Sequence, residues 1–166
     1  TRAVFDEYVK IHALAAGRVT RPANTFDNMY NWIVAGNAGL SVASEDGKYV
    51  GFSLFFLTRG GAYYASACNV PGRRDLPVAH VNQWGTIRWL KEHGYRFYET
   101  GWQQYGPQHH GVPSEKELSI ELFKRGFGGD VVPLFRGEKY YDAEFYRSVM
   151  NARTEQVAST IELPAL

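Results

Sequence analysis

The sequence of 166 residues holds a single cysteine, two methionines and seven prolines, and its 18 lysines and arginines nearly cancel its 17 aspartates and glutamates. Each shortage excludes something. A lone thiol, Cys68, rules out an internal disulfide and suits a reducing, cytoplasmic compartment. No apolar run reaches the ~18 residues of a membrane-spanning helix, and no secretory leader is visible. A formal charge of +1 supplies no basic surface of the kind that drives nucleic-acid binding. The adjacent His109 and His110 lack a third ligand at metal spacing, so no metal is expected. What the chain has in abundance is aromatic side chains, including eleven tyrosines and ten phenylalanines. The length suits one domain with a real core. The sequence opens without methionine, directly in a helical pattern, and so reads as a domain cut from a longer protein.

Hydrophobic period divides the chain into elements. Phe5, Tyr8, Val9 and His12 share a helical face over residues 3–16, closed by Gly17. Thr25 is expected to cap a second helix carrying Phe26, Met29, Tyr30 and Ile33. The period then changes. Residues 40–44 and 49–58 read as strands joined at Asp46-Gly47, a strong hairpin signal. Phe52, Leu54 and Phe56 share one strand face. Gly60-Gly61 turns the chain into a third strand, 62–70. A basic, turn-rich loop leads to a helix over 78–93, whose buried side is expected to hold Val81, Trp84, Ile87, Trp89 and Leu90. A short strand at 96–100 and a long loop follow. Ser114 and Glu117 form a capping box opening a helix over 114–125. Its apolar stripe would be Leu118, Leu122 and Phe123, with Lys124 and Arg125 at the negative end of its dipole and Gly126 as a left-handed cap. A strand at 131–135 and a last helix from Asp142 to about residue 157 complete the order. Three antiparallel strands before a helix-linked strand pair imply an α/β fold: a mixed, mainly antiparallel sheet with helices on both faces.

Two stretches carry a resemblance. The run Phe123-Lys124-Arg125-Gly126-Phe127-Gly128-Gly129, between helix and strand, resembles a segment of FemAB-type transferases and related GNAT-fold acyltransferases. Gly94-Tyr95-Arg96-Phe97-Tyr98-Glu99-Thr100-Gly101 resembles that group's helix exit, strand, acidic residue and glycine. The likeness covers roughly residues 25–141 and takes in the peptidoglycan-bridge aminoacyltransferases. It implies a single GNAT-like domain over 1–166, alone or as one half of a two-domain protein whose second half is also GNAT-like.

The implied chemistry is transfer of an acyl group to an amine, forming an amide. In the GNAT fold, strands 62–70 and 96–100 would splay, and the thioester of acetyl-CoA or another acyl-CoA would lie between them. Backbone N–H groups at Cys68, Asn69 and Val70 would polarise the carbonyl. Arg73, Arg74, Ala79 and His80, around the start of the next helix, would meet the donor's phosphates. The family's phosphate loop is matched only in part by Arg74-Asp75-Leu76-Pro77-Val78-Ala79, because Pro77 has no N–H where a glycine is usual. An aminoacyl-tRNA donor, as FemAB-type enzymes use, needs no such loop. Glu99 is the candidate proton acceptor, and Tyr64 and Tyr98 are candidate proton donors, against plainer readings as a loop carboxylate and core aromatics. Trp102, Gln103 and Tyr105 suit stacking and hydrogen bonding to a small-molecule, amino-sugar or peptide acceptor. Lys124 and Phe127 match the glycine-rich motif, and Lys124 would neutralise a substrate anion or simply finish a helix. A GNAT-like binding domain without catalytic activity is the remaining reading.

Overall fold

A computed structural model describes residues 1–73, 75–108 and 111–161. The chain divides into two compact units, Thr1–Gly101 and Trp102–Leu166. The first contains α1 (Arg2–Ala16), α2 (Ala23–Val34), β1 (Ala38–Glu45), β2 (Lys48–Thr58), β3 (Gly61–Asn69), α3 (Val78–Glu92) and β4 (Phe97–Glu99). The second contains α4 (Glu115–Arg125) and α5 (Ala143–Ala158).

In the first unit, β1, β2, β3 and β4 lie side by side in chain order. The first three are antiparallel, and β4 joins β3 in parallel. Asp46 and Gly47 both take positive φ, as a two-residue type I′ hairpin requires. Gly17 is left-handed and donates its N–H to the Leu14 carbonyl, ending α1 as expected. The second helix starts earlier than expected. It opens after Pro22, whose extended backbone leads into the helix, and Thr25 falls inside the first turn. Phe5, Tyr8 and Ile11 of α1 and Phe26 and Met29 of α2 pack on Phe52, Leu54 and Cys68. On the other sheet face, Leu90 of α3 packs on Phe55 and Ala62, while Val78 packs with Ala43 and Val50. Helices thus cover both faces of the sheet.

Two elements bury faces other than those expected. In α3 the buried residues are Val78, Asn82, Gln83, Thr86 and Leu90, whereas Val81 and Trp84 are exposed, Trp84 by 58%. The reason is hydrogen bonding. Ser41 Oγ donates to Asn82 Oδ1 (3.2 Å), and Thr86 Oγ1 donates to the Asn82 carbonyl (2.9 Å). These bonds offset part of the cost of burying the polar face, although Asn82 Nδ2 is buried without a partner. In α4 the capping box forms, with Glu117 N donating to Ser114 Oγ and Ser114 N donating to Glu117 Oε2. Its buried residue is Glu121, and Leu122 is exposed.

Two further expectations are corrected in the second unit. Gly126 is right-handed, and the turn is made by the positive φ of Gly128 and Gly129. Residues 131–135 form no strand. Val131, Val132, Leu134 and Phe135 are exposed, Phe135 fully. A strand exists only with a hydrogen-bonded neighbour, and Pro133 lacks the N–H to contribute to one. Asp142 caps α5 as expected, accepting from Phe145 N at 2.6 Å.

Candidate functional site

The first unit opens a gap along one strand edge. β4 pairs with β3 only over Gly61, Ala62 and Tyr63, opposite Phe97, Tyr98 and Glu99. β3 then runs on to Asn69 with its far edge unpaired by β4. Val70 N donates to the Val50 carbonyl at 2.9 Å. In an antiparallel ladder the N–H groups alternate sides, so those of Val70 and Cys68 turn to β2 and that of Asn69 turns into the gap. Of the three N–H groups expected at the thioester, Asn69 therefore offers the available one. The Cys68 thiol points elsewhere. It donates to the Tyr8 carbonyl at 3.8 Å, and burial pushes its pKa up to about 12, which makes it a core residue rather than a nucleophile.

A bulge in β3 decides which side chains face the gap. Leu54 pairs with Ser66 and Phe55 pairs with Tyr64, so Ala65 is extra. An extra residue flips the alternation beyond it. Ser66 faces α1, where Tyr8 Oη donates to its Oγ at 3.0 Å. Tyr64 pairs with Phe55, which packs on Leu90, and so faces α3 on the side of the Gln83 amide. Gln83 is the centre of this polar group. Its Oε1 accepts from Tyr98 Oη at 2.8 Å, and its Nε2 donates to Ser53 Oγ at 3.5 Å. Burial raises both phenols above the ordinary tyrosine value, and for Tyr98 the neighbouring Tyr64 adds to the effect. Both are therefore protonated near neutral pH.

Glu99 is exposed and closes β4. Since Tyr98 packs toward Phe55, Ala62 and Leu90, strand alternation turns Glu99 to the opposite face. The structure brings Tyr64 and Tyr98 together and leaves Glu99 apart from them.

Beyond β3, the chain reaches α3. Gly51 makes room there: a Cβ on it would collide with Val78 Cγ1 and lie 2.6 Å from Asn69 Oδ1. The end of β3 and the first residue of α3 thus sit against the same glycine. Pro77 occupies the cap position and gives no side-chain cap. Any helix leaves its first N–H groups without intrahelical acceptors, and Ala79 and His80 lie in that first turn. Arg73 is engaged elsewhere. It bonds Asp75 at 3.0 Å and Glu45 at 2.7 Å, and these carboxylates hold it charged. Arg74, His109 and His110 lie outside the described residues.

The second unit gathers most of the acceptor candidates. Lys124 Nζ donates to the Trp102 carbonyl at 3.2 Å and pairs with Glu121 Oε1 at 3.0 Å. Arg125 donates to the Gln104 carbonyl at 3.4 Å and lies over the Tyr105 ring at 4.7 Å. Two cations at the end of α4 therefore tie down the loop that carries Trp102, Gln103 and Tyr105. Phe127 stands edge-on to Phe123. A cavity of about 420 Å³ opens in this unit among Tyr140, Tyr141, Asp142, Ala143 and Tyr146, and none of the candidate catalytic, donor-binding or acceptor-binding residues lines it.

The sequence reading missed Gln83 and Glu121. Gln83 had an indirect signal: it stands next to the stripe Val78, Asn82, Thr86 and Leu90, which recurs at i+4 as regularly as the apolar one. Glu121 had only its i+3 spacing to Lys124. Among the described residues no group of three or more His, Cys, Asp or Glu could hold a metal, and no helix is long and apolar enough to cross a membrane.

The sequence matches no family model and no curated protein. Solved structures do match. The aminoglycoside N-acetyltransferase AAC(6′)-Iy in complex with CoA is 12% identical with a TM-score of 0.61, over 86% of this chain and 91% of that one. An aminoglycoside acetyltransferase from an uncultured soil metagenomic sample, in complex with sisomicin, is 13% identical with a TM-score of 0.58, over 82% of this chain and 90% of that one. A ribosomal-protein-alanine N-acetyltransferase from Brucella melitensis biovar Abortus 2308 is 12% identical with a TM-score of 0.57, over 83% of this chain and 94% of that one. At these identities the likeness is one of fold: the mixed sheet and its helices have the arrangement of the GNAT acetyltransferases.

Proposed function

We propose that this chain is an N-acyltransferase that moves an acyl group from an acyl-CoA thioester to the amine of a small molecule. The observation that carries this reading is the parting of β3 from β4, with the Asn69 N–H turned into the gap. In that gap the amine nitrogen would attack the thioester carbonyl. The carbonyl oxygen takes up charge facing Asn69 N–H, the carbon–sulfur bond breaks, and the amide forms with release of the thiol. No covalent enzyme intermediate is needed, so rate comes mainly from positioning and carbonyl polarisation. Glu99 is assigned the proton leaving the amine, directly or through water. Tyr64 is preferred over Tyr98 as proton donor to the thiolate, because the Tyr98 hydroxyl already donates to Gln83. The donor's phosphates are assigned to the first turn of α3, at Ala79 and His80, with Arg74. Trp102, Gln103, Tyr105, Lys124 and Phe127 are assigned to the acceptor. The likeness to CoA-bound acetyltransferases supports this donor over aminoacyl-tRNA, as does the near-neutral composition. The glycine-rich motif after α4 is what favours a FemAB-like member.

A second reading, a binding domain without turnover, is favoured by Pro77 at the cap and by the two carboxylates on Arg73. A thermal melt with acetyl-CoA separates the two. A ligand of the folded state at a hundredfold excess over its Kd adds about 2.7 kcal/mol. Ala79→Asp should shrink that shift without lowering the melt of the free protein, since an acidic residue suits a helix start but repels phosphate. A flat melt of the wild-type protein would sink the acyl-CoA reading. Given a shift, Glu99→Gln should lower turnover about 10²–10⁴-fold, as loss of a general base does, with little change in melting temperature.

A further inference from the structure

The second unit carries a cavity of about 420 Å³ that the acyl-transfer reading does not use, lined by Tyr140, Tyr141, Asp142, Ala143 and Tyr146. Its size falls in the range of about 300–1,000 Å³ typical of small-molecule pockets. Most of its wall is tyrosine. Tyr140 Oη donates to Glu138 Oε2 at 2.5 Å, which holds that ring. The ring centroid lies 5.2 Å from that of Tyr146, with the planes inclined at 63°. Two rings at that angle form a corner rather than a stack. Tyr141 is 88% exposed, so solutes reach the cavity from its side.

The electrostatics of the lining select a cation. The charged group among the lining residues is the Asp142 carboxylate. It accepts from Phe145 N, and no cation among the described residues pairs with it. Glu138, by contrast, is held by Arg136 and Arg153, which engages those two arginines. Glu144 also stands in the first turn of α5, so the partial positive charge of the helix start is offset. An anion in the cavity would meet a carboxylate. The rings add to the preference, because the quadrupole of a tyrosine draws a cation lying within about 6 Å. The chain itself shows this: Lys139 Nζ lies 4.9 Å over the Tyr141 ring, although Lys139 does not line the cavity. A primary ammonium has three donors to satisfy. One carboxylate among rings is better matched to a methylated ammonium, whose apolar methyl shell brings no donors.

We propose that the cavity at the start of α5 binds a methylated ammonium group, with Asp142 as counter-ion and the rings of Tyr140, Tyr141 and Tyr146 as its walls. A quaternary nitrogen has neither an N–H to lose nor a lone pair with which to attack a thioester. The site is therefore one of recognition and does not hold the amine that is acylated. Binding there needs no acyl-CoA, so the acetyl-CoA melt and the ammonium titration can fail separately.

The test titrates the full chain with choline, with ethanolamine, and with dimethylbutanol, the neutral carbon isostere of choline, following the tyrosine ring signals by NMR. The solutes share a hydroxyethyl tail and differ in the head: trimethylammonium, primary ammonium or neutral tert-butyl. Choline is expected to shift Tyr140, Tyr141 and Tyr146 and to bind about tenfold tighter than either of the others. Asp142→Asn keeps a good helix cap while removing the charge, and should weaken choline about three- to tenfold with little change in the thermal melt. Tyr141→Leu, at an exposed ring, should do the same. Lys139→Gln removes a competing cation and should tighten choline. Equal affinity for choline and the alcohol would mean an apolar pocket and overturn the proposal. Equal affinity for choline and ethanolamine would overturn it too, by pointing to hydrogen-bonded ammonium recognition. So would silence from choline at concentrations that saturate a millimolar site, or unchanged affinity in the folded Asp142→Asn and Tyr141→Leu proteins.

Discussion

The two units are held by different forces. Every buried apolar side chain among the described residues, from Phe5 to Leu90, belongs to the first unit. In the second unit the buried residue is a carboxylate, Glu121, and α5 buries nothing. Its order comes from caps and ions: the Ser114–Glu117 box, the Asp142 cap, Lys124 with Glu121, and Glu138 between Arg136 and Arg153. The comparison teaches that one chain can pair an oil-like scaffold with a polar attachment, and that the attachment is where solvent conditions act. A scaffold stabilised by buried area loses kilocalories when a methylene is removed, whereas exposed ion pairs are individually weak and screened by salt.

The largest expected effect follows directly. Phe52 of β2 is fully buried against α1, touching Tyr8 and its strand neighbour Tyr49. Phe52→Ala should cost about 3–5 kcal/mol, seen as a lower urea midpoint and lost amide protection in β1, β2 and β3. Phe135→Ala, at a fully exposed ring, should stay within about 0.5 kcal/mol. Equal losses at the two sites would break the contrast between the units.

The same contrast explains what could be read from the sequence. In the first unit the local signals and the tertiary outcome agree. Asp46-Gly47 makes the hairpin, Gly17 ends α1, and the Phe5, Tyr8 and His12 face is the buried one. The apolar pattern there is also the burial pattern, so period alone suffices. It fails at α3, where Asn82 is buried because Ser41, far away in sequence, supplies its partner. No helical wheel contains that information. It fails again in the second unit. Leu122 and residues 131–135 look like core and strand, but burial needs an opposing surface and a strand needs a neighbour. The candidate site divides along the same line. The strand-edge gap and the aromatic loop follow from element order, whereas Gln83 and Glu121 matter through side-chain partners that only the fold assembles.

A smaller effect sharpens the motif after α4. Gly128 sits at φ 76°, and Gly126 at φ −60°. Gly128→Ala should cost more than about 1 kcal/mol through left-handed strain. At Gly126 the backbone accepts alanine, although its Cβ would lie 3.2 Å from the Phe123 carbonyl oxygen, so the cost should be lower. Urea denaturation of the two variants gives the order. A reversed order would shift the turn from Gly128 to Gly126.

The smallest effect concerns acid, and it separates the units on the pH axis. In the first, His12 lies between Tyr8 and Phe26 with Arg21 at 2.8 Å from its Nε2. Burial, and then the charge of Arg21, hold its pKa below the ordinary 6.5. The unfolded chain therefore takes up a proton there more readily than the folded one. Its contribution is fully present above about pH 6.5 and declines as pH falls through that value toward the lower folded one. In the second unit Glu138 is held down to about 2, first by Arg153 and then by Tyr140. Its contribution is present above the ordinary glutamate value and is lost as pH falls from there toward 2. Hydrogen exchange should therefore loosen α1 between about pH 7 and 5 while α5 stays unchanged, and α5 should loosen only in stronger acid. His12→Gln should remove the first step. Added salt should weaken the α5 step, whose charges face solvent, and leave the α1 step in place. Loss of protection in both helices at one pH, unaffected by His12→Gln, would mean that the units respond to acid as one cooperative body.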